Sequence, residues 1–210
     1  AAVVKRLEIG SAVISNSPAV VIAASLMRLR TSDGRIPSGG LQVDGIIGWD
    51  TIRQFDVSLD YRRGTITLRR PEILETSGTT TQNLIWLGKP FVEVRTKPGA
   101  ILHFTLDTGA QSSFVNDATL KKANLTTRIS QAQVFGIART GALTGRVVPS
   151  LRLDIAGKWV ELRSAVVYGS TSPGFVNCDG ILGSDIAQFG TVRIDATNGL
   201  FSIGSEDAAE

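Results

Sequence analysis

The residues best suited to chemistry in this sequence stand four in a row, Asp107-Thr108-Gly109-Ala110. The run before them, Ile101-Leu102-His103-Phe104-Thr105-Leu106, alternates in character. Leu102, Phe104 and Leu106 fall on one face of an extended chain, and Ile101, His103, Thr105 and Asp107 fall on the other. An aspartate that closes such a strand, followed by a small hydroxyl residue and a glycine, puts its carboxylate on a tight loop. Neighbouring backbone N–H groups can hold it there. The same four residues also suit an ordinary Asx-type turn, so the motif is judged by what surrounds it.

Other chemistries are poorly supplied. His103 is the single histidine, so a Ser–His–Asp relay would have to be built around it; beside Asp107 it reads as a partly exposed residue near a cleft. One cysteine, Cys178, allows no internal disulfide, and one Cys with one His falls short of the usual zinc ligand set. No glycine-rich phosphate-binding motif occurs, so neither a metal nor an organic cofactor is expected. The net charge of +3 arises from 22 basic and 19 acidic residues that are scattered along the chain, which argues against nucleic acid as a partner. The most apolar stretch, residues 19–24, is too short to span a bilayer. Hydrophobic residues at 42% are enough for a packed core. Abundant Gly, Val, Ile and Thr without a long helical pattern favour an all-β fold with tight turns.

The chain repeats itself. Residues 43–68, VDGIIGWDTIRQFDVSLDYRRGTITL, align with residues 178–203, CDGILGSDIAQFGTVRIDATNGLFSI. At an offset of 135, Asp44, Gly45, Ile46, Gly48, Asp50, Asp60 and Gly64 match Asp179, Gly180, Ile181, Gly183, Asp185, Asp195 and Gly199. Upstream, Leu7-Glu8-Ile9 resembles Leu153-Asp154-Ile155, and Ala19-Val20-Val21 resembles Ala165-Val166-Val167. The repeat assigns residues 1–70 to one copy, 71–81 to a linker with Pro71 and a threonine run, 82–204 to a second copy, and 205–210 to a polar tail. Asp44 and Asp179, duplicated ahead of an apolar strand, suggest structural hydrogen bonding. Cys178 occupies the position of Val43 and reads as a small buried hydrophobe. Trp49, Trp86 and Trp159 are expected in the core or between the copies.

In the second copy, strands are predicted at about 84–87, 90–96 and 101–106, followed by the Asp-Thr-Gly turn and a short helix N-capped by Asn116. A hairpin over about 134–148, strands at 150–155 and 159–168, the segment Ile181-Leu182-Gly183, a brief helix at 185–189 and a hairpin turning at Asn198-Gly199 complete it.

A strand before Asp107-Thr108-Gly109-Ala110, a helix after it, and Ile181-Leu182-Gly183 about seventy-five residues on together resemble the pepsin and retropepsin-like aspartic peptidase superfamily, in its bacterial two-lobed form. The resemblance covers the second copy and, through Ile46-Ile47-Gly48, part of the first. It implies a bilobal acid-protease barrel fold in which the apolar-apolar-Gly strand crosses beside the catalytic loop. It also implies an endopeptidase acting on peptide or protein substrates, with Asp107 as one of two catalytic carboxylates that share a proton. Thr108 would brace the two loops across the axis, Gly109 would admit substrate backbone, and Ala110 would line the cleft. The segment 134–143 corresponds to the flap that closes over substrate, with Gly136 and Ile137 as its substrate-contacting residues, and it also reads as a plain hairpin. Relatives commonly act outside the cytoplasm, which implies an extracytoplasmic location.

The first copy has its apolar-apolar-Gly segment but no Asp-[Ser/Thr]-Gly. Aligned on the second, Ala1 falls near Val147, so the first lobe is N-terminally incomplete, and Ala1 in place of Met fits removal of an upstream part. The second carboxylate is then expected on an upstream fragment of the same protein or on another copy in a homodimer. A binding module that holds peptides without cleaving them is the remaining alternative.

Overall fold

The structure, a computed structural model, describes residues 2–23, 43–74, 81–134, 141–169 and 178–204. Its elements run β1 (Ala2–Ile9), β2 (Ala12–Ala19), α1 (Trp49–Ile52), β3 (Asp56–Asp60), β4 (Thr65–Arg69), β5 (Leu84–Trp86), β6 (Pro90–Thr96), β7 (Ile101–Leu106), β8 (Phe114–Asn116), α2 (Asp117–Lys122), β9 (Arg128–Val134), β10 (Gly141–Ile155), β11 (Lys158–Tyr168) and β12 (Gly180–Leu182). A 3-10 helix, Ser184–Phe189, then leads to β13 (Val192–Asp195) and β14 (Leu200–Ile203). The protein is mostly β with few short helices and contains a closed six-stranded barrel.

The barrel follows from alternation. Leu102, Phe104 and Leu106 of β7 turn inward and are fully buried. There they meet Val92 and Val94 of β6, Leu151, Leu153 and Ile155 of β10, Val160 and Leu162 of β11, and Leu182 of β12. Each such side chain contributes about 1.5–3 kcal/mol on leaving water. The strands run in the order β6-β7-β12-β8-β11-β10, and β10 returns to β6 through Leu153↔Thr96 and Asp154↔Arg95 to close the ring. β10 is one continuous strand of 15 residues where a separate hairpin arm and strand were expected. It accommodates Pro149 because the register passes from Val148↔Ala165 to Ser150↔Arg163 and leaves Pro149 and Ser164 unpaired. Ser164 adopts φ 61 there.

α2 begins as predicted. The Asn116 side chain accepts from Thr119 N–H and from the Thr119 hydroxyl, both at 2.8 Å, a cap worth about 1 kcal/mol. Asp117 lies in its first turn and Lys121 and Lys122 in its last, in accord with the helix dipole.

The sequence repeat is also a structural one. β1 and β2 meet around a two-residue turn with Ile9↔Ala12, and β10 and β11 do the same with Ile155↔Lys158, an offset of 146 in both strands. β3 and β4 correspond to β13 and β14, and the two hairpins join edge to edge in a sheet ordered β14-β13-β3-β4. In that junction Ser58 faces Arg193, its own mate at an offset of 135, while Val57 faces Ile194 and Leu59 faces Val192. This is the register of a local two-fold axis through Ser58 and Arg193. The hairpin turns repeat down to single bonds: Asp60 Oδ1 accepts from Arg63 N–H at 2.9 Å, and Asp195 Oδ1 accepts from Asn198 N–H at 3.1 Å.

Val57 is buried in the same core as Val192, Ile194, Phe201 and Ile203, so the first copy shares the apolar interior of the second. Trp49 and Trp86 lie edge to face with centroids 6.5 Å apart, joining α1 to β5 as expected of residues between the copies. Trp159 departs from expectation: it is 54% exposed, because β11 turns Val160 and Leu162 inward and so turns Trp159 out. Val13, its counterpart in β2, is exposed as well.

Candidate active site

Asp107 follows directly on β7, and its carboxylate is exposed at the end of a strand whose three preceding residues are buried. The loop it opens, residues 107–113, connects β7 to β8. These two strands are not neighbours: β12 lies between them, parallel to β7 through Leu182↔Leu106 and antiparallel to β8 through Ile181↔Phe114. The loop must therefore cross the end of β12, which brings it against the residues that follow Leu182.

The crossing is tightly bonded. Asp107 N–H donates to the Leu182 carbonyl at 2.9 Å, and Ser184 N–H donates to the Ala110 carbonyl at 2.7 Å. Within the loop, Gly109 N–H donates to Asp107 Oδ1 at 3.0 Å and Ala110 N–H to the Asp107 carbonyl at 3.1 Å. At the far end Ser113, fully buried, donates its N–H to Asp185 Oδ2 at 2.8 Å and its hydroxyl to Asp185 Oδ1 at 2.6 Å. Its oxygen accepts in turn from Gly183 N–H at 3.0 Å.

Close approach explains two glycines. A Cβ on Gly183 would lie 2.7 Å from the Ala110 carbonyl oxygen and from the backbone of Ser112, and one on Gly180 would overlap the Phe114 carbonyl oxygen and the Phe104 ring. Only glycine lets β12 and its continuation pass this near their neighbours.

Burial pushes the Asp185 carboxyl above its ordinary value of 3.8, with the two Ser113 bonds pulling the other way. A carboxyl raised in the folded state binds protons more readily folded than unfolded. Its contribution to stability therefore falls as pH rises from the unfolded value through the raised folded one. Wild-type protein is expected to lose stability relative to Asp185→Asn as pH is raised from about 3 through the acidic range, read as urea midpoints at each pH. Parallel profiles for the two proteins would contradict this assignment.

The other sequence candidates divide. The Thr108 hydroxyl has no partner among the described residues, leaving it available to a neighbouring loop, and Ala110 is half-buried. Gly136 and Ile137 lie outside the described residues, although the arms of their hairpin, β9 and β10, pair from Val147↔Arg128 to Gly141↔Val134. His103 is half-exposed and faces Glu93, with Nε2 to Oε2 3.9 Å. Four residues back along a strand, it stands roughly 13 Å from Asp107, too far to exchange a proton with it.

Asp179 has the structural role expected of it: Oδ2 accepts from His103 N–H at 2.8 Å and from Lys122 Nζ at 2.9 Å, pinning β7 and α2 to the start of β12. Cys178 is buried, as expected. No group of three or more His, Cys, Asp or Glu among the described residues is arranged to hold a metal ion.

Sequence reasoning did not single out Ser113, and it recorded Asp185 without a role. The usable signal was the duplication of Asp50 as Asp185, each two residues beyond an apolar-apolar-Gly segment.

The first copy carries the same seat in a different state. Ile46 and Ile47 are 55% and 46% exposed, whereas Leu182, the mate of Ile47, is 0% exposed. A Cβ on Gly45 or Gly48 would meet nothing within 4 Å among the described residues. No protein-family model matches the chain, and no curated protein matches it either.

Proposed function

We propose that the chain is the Asp107-bearing part of an aspartic endopeptidase, in which two carboxylates from two pseudo-symmetric loops activate water against a peptide bond. The observation that carries this reading is the pairing of a rigidly held, exposed Asp107 with a second, uncovered copy of its seat at Ile46–Asp50, across the two-fold of β3 and β13. Gly45 and Gly48 have no steric reason among the described residues, but their mates Gly180 and Gly183 are required by the Asp107 loop and its flanking strands. A segment resembling residues 101–116, seated on Ile46–Asp50, would bring a second aspartate to the axis.

The chemistry follows from placing two carboxyls about 3 Å apart, where they cannot both ionise and so share one proton. The ionised member takes a proton from a bound water, whose oxygen attacks the peptide carbonyl. The protonated member hydrogen-bonds to the developing oxyanion, and a proton then passes to the leaving nitrogen as the C–N bond breaks. Gly109 beside Asp107 leaves room for extended substrate backbone. The Thr108 hydroxyl suits a bond to the opposite loop.

Intact mass under denaturing conditions, with peptide hydrolysis assayed on the same material, tests the reading. Active material is expected to contain, besides these 210 residues, a polypeptide carrying an Asp-[Ser/Thr]-Gly, and a monomer of these residues alone should hydrolyse nothing. Hydrolysis by that monomer would overturn the two-carboxylate mechanism. Hydrolysis by a symmetric dimer of it would instead assign the second aspartate to another copy.

A further inference from the structure

The bonds that hold the Asp107 loop converge on four consecutive residues, 182–185. Two of them, Asp107 N–H to the Leu182 carbonyl and Ser184 N–H to the Ala110 carbonyl, join backbone to backbone and would form with many side chains in place. The far end of the loop is different, because there the anchor is a side chain. Both oxygens of the Asp185 carboxylate are taken by Ser113, one by its N–H and one by its hydroxyl. The hydroxyl oxygen is itself occupied by Gly183 N–H. Ser113 is fully buried, so water does not compete for these groups.

We propose that Asp185 is a positioning residue for Asp107, clasping Ser113 so that the loop is fixed at both ends and the exposed carboxylate leaves β7 in one direction. The proposal rests on reading Asp107 as a catalytic carboxylate. Asp185 touches no reacting atom and acts through the loop alone. Bonds from N–H and O–H donors to a carboxylate are about twice as strong as neutral ones. A loop of seven residues anchored at its start and middle only would let the Asp107 side chain wander by the ångström or so that costs roughly a hundredfold in rate.

The repeat extends the clasp to the first copy. Asp50, the mate of Asp185, lies at the start of α1 with its side chain 73% exposed and Arg53 3.8 Å away. In the second copy the clasped hydroxyl stands six residues beyond the aspartate, Ser113 after Asp107. A segment seated on the first copy in the same way would be expected to carry a Ser or Thr six residues after its own aspartate, set to bond Asp50.

The experiment uses the hydrolytically active protein with Asp185→Ala, Asp185→Asn and Ser113→Ala, compared by amide hydrogen exchange and by steady-state hydrolysis of one peptide. In Asp185→Ala the amides of Gly109, Ser113 and Gly183 should exchange about tenfold faster or more, while those of β10 and β11 keep their wild-type protection. The kcat should fall by about ten- to a hundredfold with KM within about twofold, and Asp185→Asn, which retains one acceptor, should recover part of it.

Unchanged exchange across 107–113, or a loosened loop with unchanged kcat, overturns the proposal while Asp107 remains catalytic. Wild-type activity that survives Asp107→Asn overturns the underlying reading instead. Should Asp185→Ala fail to fold, Ser113→Ala and Asp185→Asn carry the same comparison.

Discussion

Asp107→Asn will abolish peptide hydrolysis while leaving the protein folded. The substitution keeps the size of the side chain and an oxygen able to accept from Gly109 N–H, which is 3.0 Å from Oδ1 in the present loop. The bonds that fix the loop, from Asp107 N–H to the Leu182 carbonyl and from Ser113 to Asp185, do not involve the Asp107 carboxylate. Thermal midpoints of the two proteins should therefore agree within a few degrees. An amide cannot take a proton from water at any working pH or share one with a second carboxyl, so the fall in kcat should reach about 10²–10⁴-fold. Measured hydrolysis within a few-fold of wild type would remove Asp107 from the mechanism. A variant that unfolds would show that the carboxylate is structural.

Gly180→Ala and Gly45→Ala will diverge, although the two glycines are mates in the repeat. At Gly180 the added methyl would overlap the Phe114 carbonyl and the Phe104 ring, backbone on one side and a fully buried aromatic on the other. Neither can yield without parting β12 from its neighbours, so the cost should be about 3 kcal/mol or more, at the upper end of overpacking. At Gly45 the methyl meets nothing within 4 Å among the described residues, and the change should fall within about 0.5 kcal/mol. Denaturant midpoints measured on this chain give both numbers. In active protein containing the second aspartate, Gly45→Ala should lose its neutrality and reduce hydrolysis, because the methyl then stands where a strand must pass. Equal destabilisation of the chain by both substitutions would mean that the Ile46–Asp50 seat is already covered.

Much of the fold was legible because alternation and punctuation are local. Leu102, Phe104 and Leu106 announced β7, Asn116 announced α2, and Asn198-Gly199 announced the last hairpin. The repeat was legible for another reason: Asp44, Gly45, Gly48 and Asp60 are residue types that backbone geometry and turn hydrogen bonds constrain, and such positions persist when apolar ones drift. The barrel was legible only through the family resemblance, and its closure could not be read from the local pattern. That closure depends on Leu153↔Thr96 and Asp154↔Arg95, two pairings between strands nearly sixty residues apart, and nothing in the local pattern of either strand encodes them. The continuity of β10 through Pro149 was hidden similarly, since a proline in a strand is tolerated only where its missing N–H is not needed by the ladder, as at the unpaired Pro149.

Of the site, Asp107 could be named from its motif, but Ser113 could not. A serine in a loop has no distinguishing mark until its hydroxyl is seen between Asp185 and Gly183.

The junction of β3 and β13 carries a consequence for how the two copies came to differ. Where two identical chains meet on a two-fold axis, the residue on the axis faces itself, so an arginine there would oppose an arginine, and like charges directly opposite are destabilising. In a covalently joined pair the two sides are free to diverge. Ser58 stands opposite Arg193, and the guanidinium thus released reaches diagonally to Asp56, with bonds of 2.8 and 3.0 Å. It also lies 3.9 Å from Asp195, so that one cation serves two buried carboxylates that face each other across the strands. Those carboxylates hold the Arg193 proton more firmly than usual. Linkage of the copies in one polypeptide thus permits a broken symmetry at the centre of the sheet, an asymmetric charge triad that no pair of identical chains could place on its own axis.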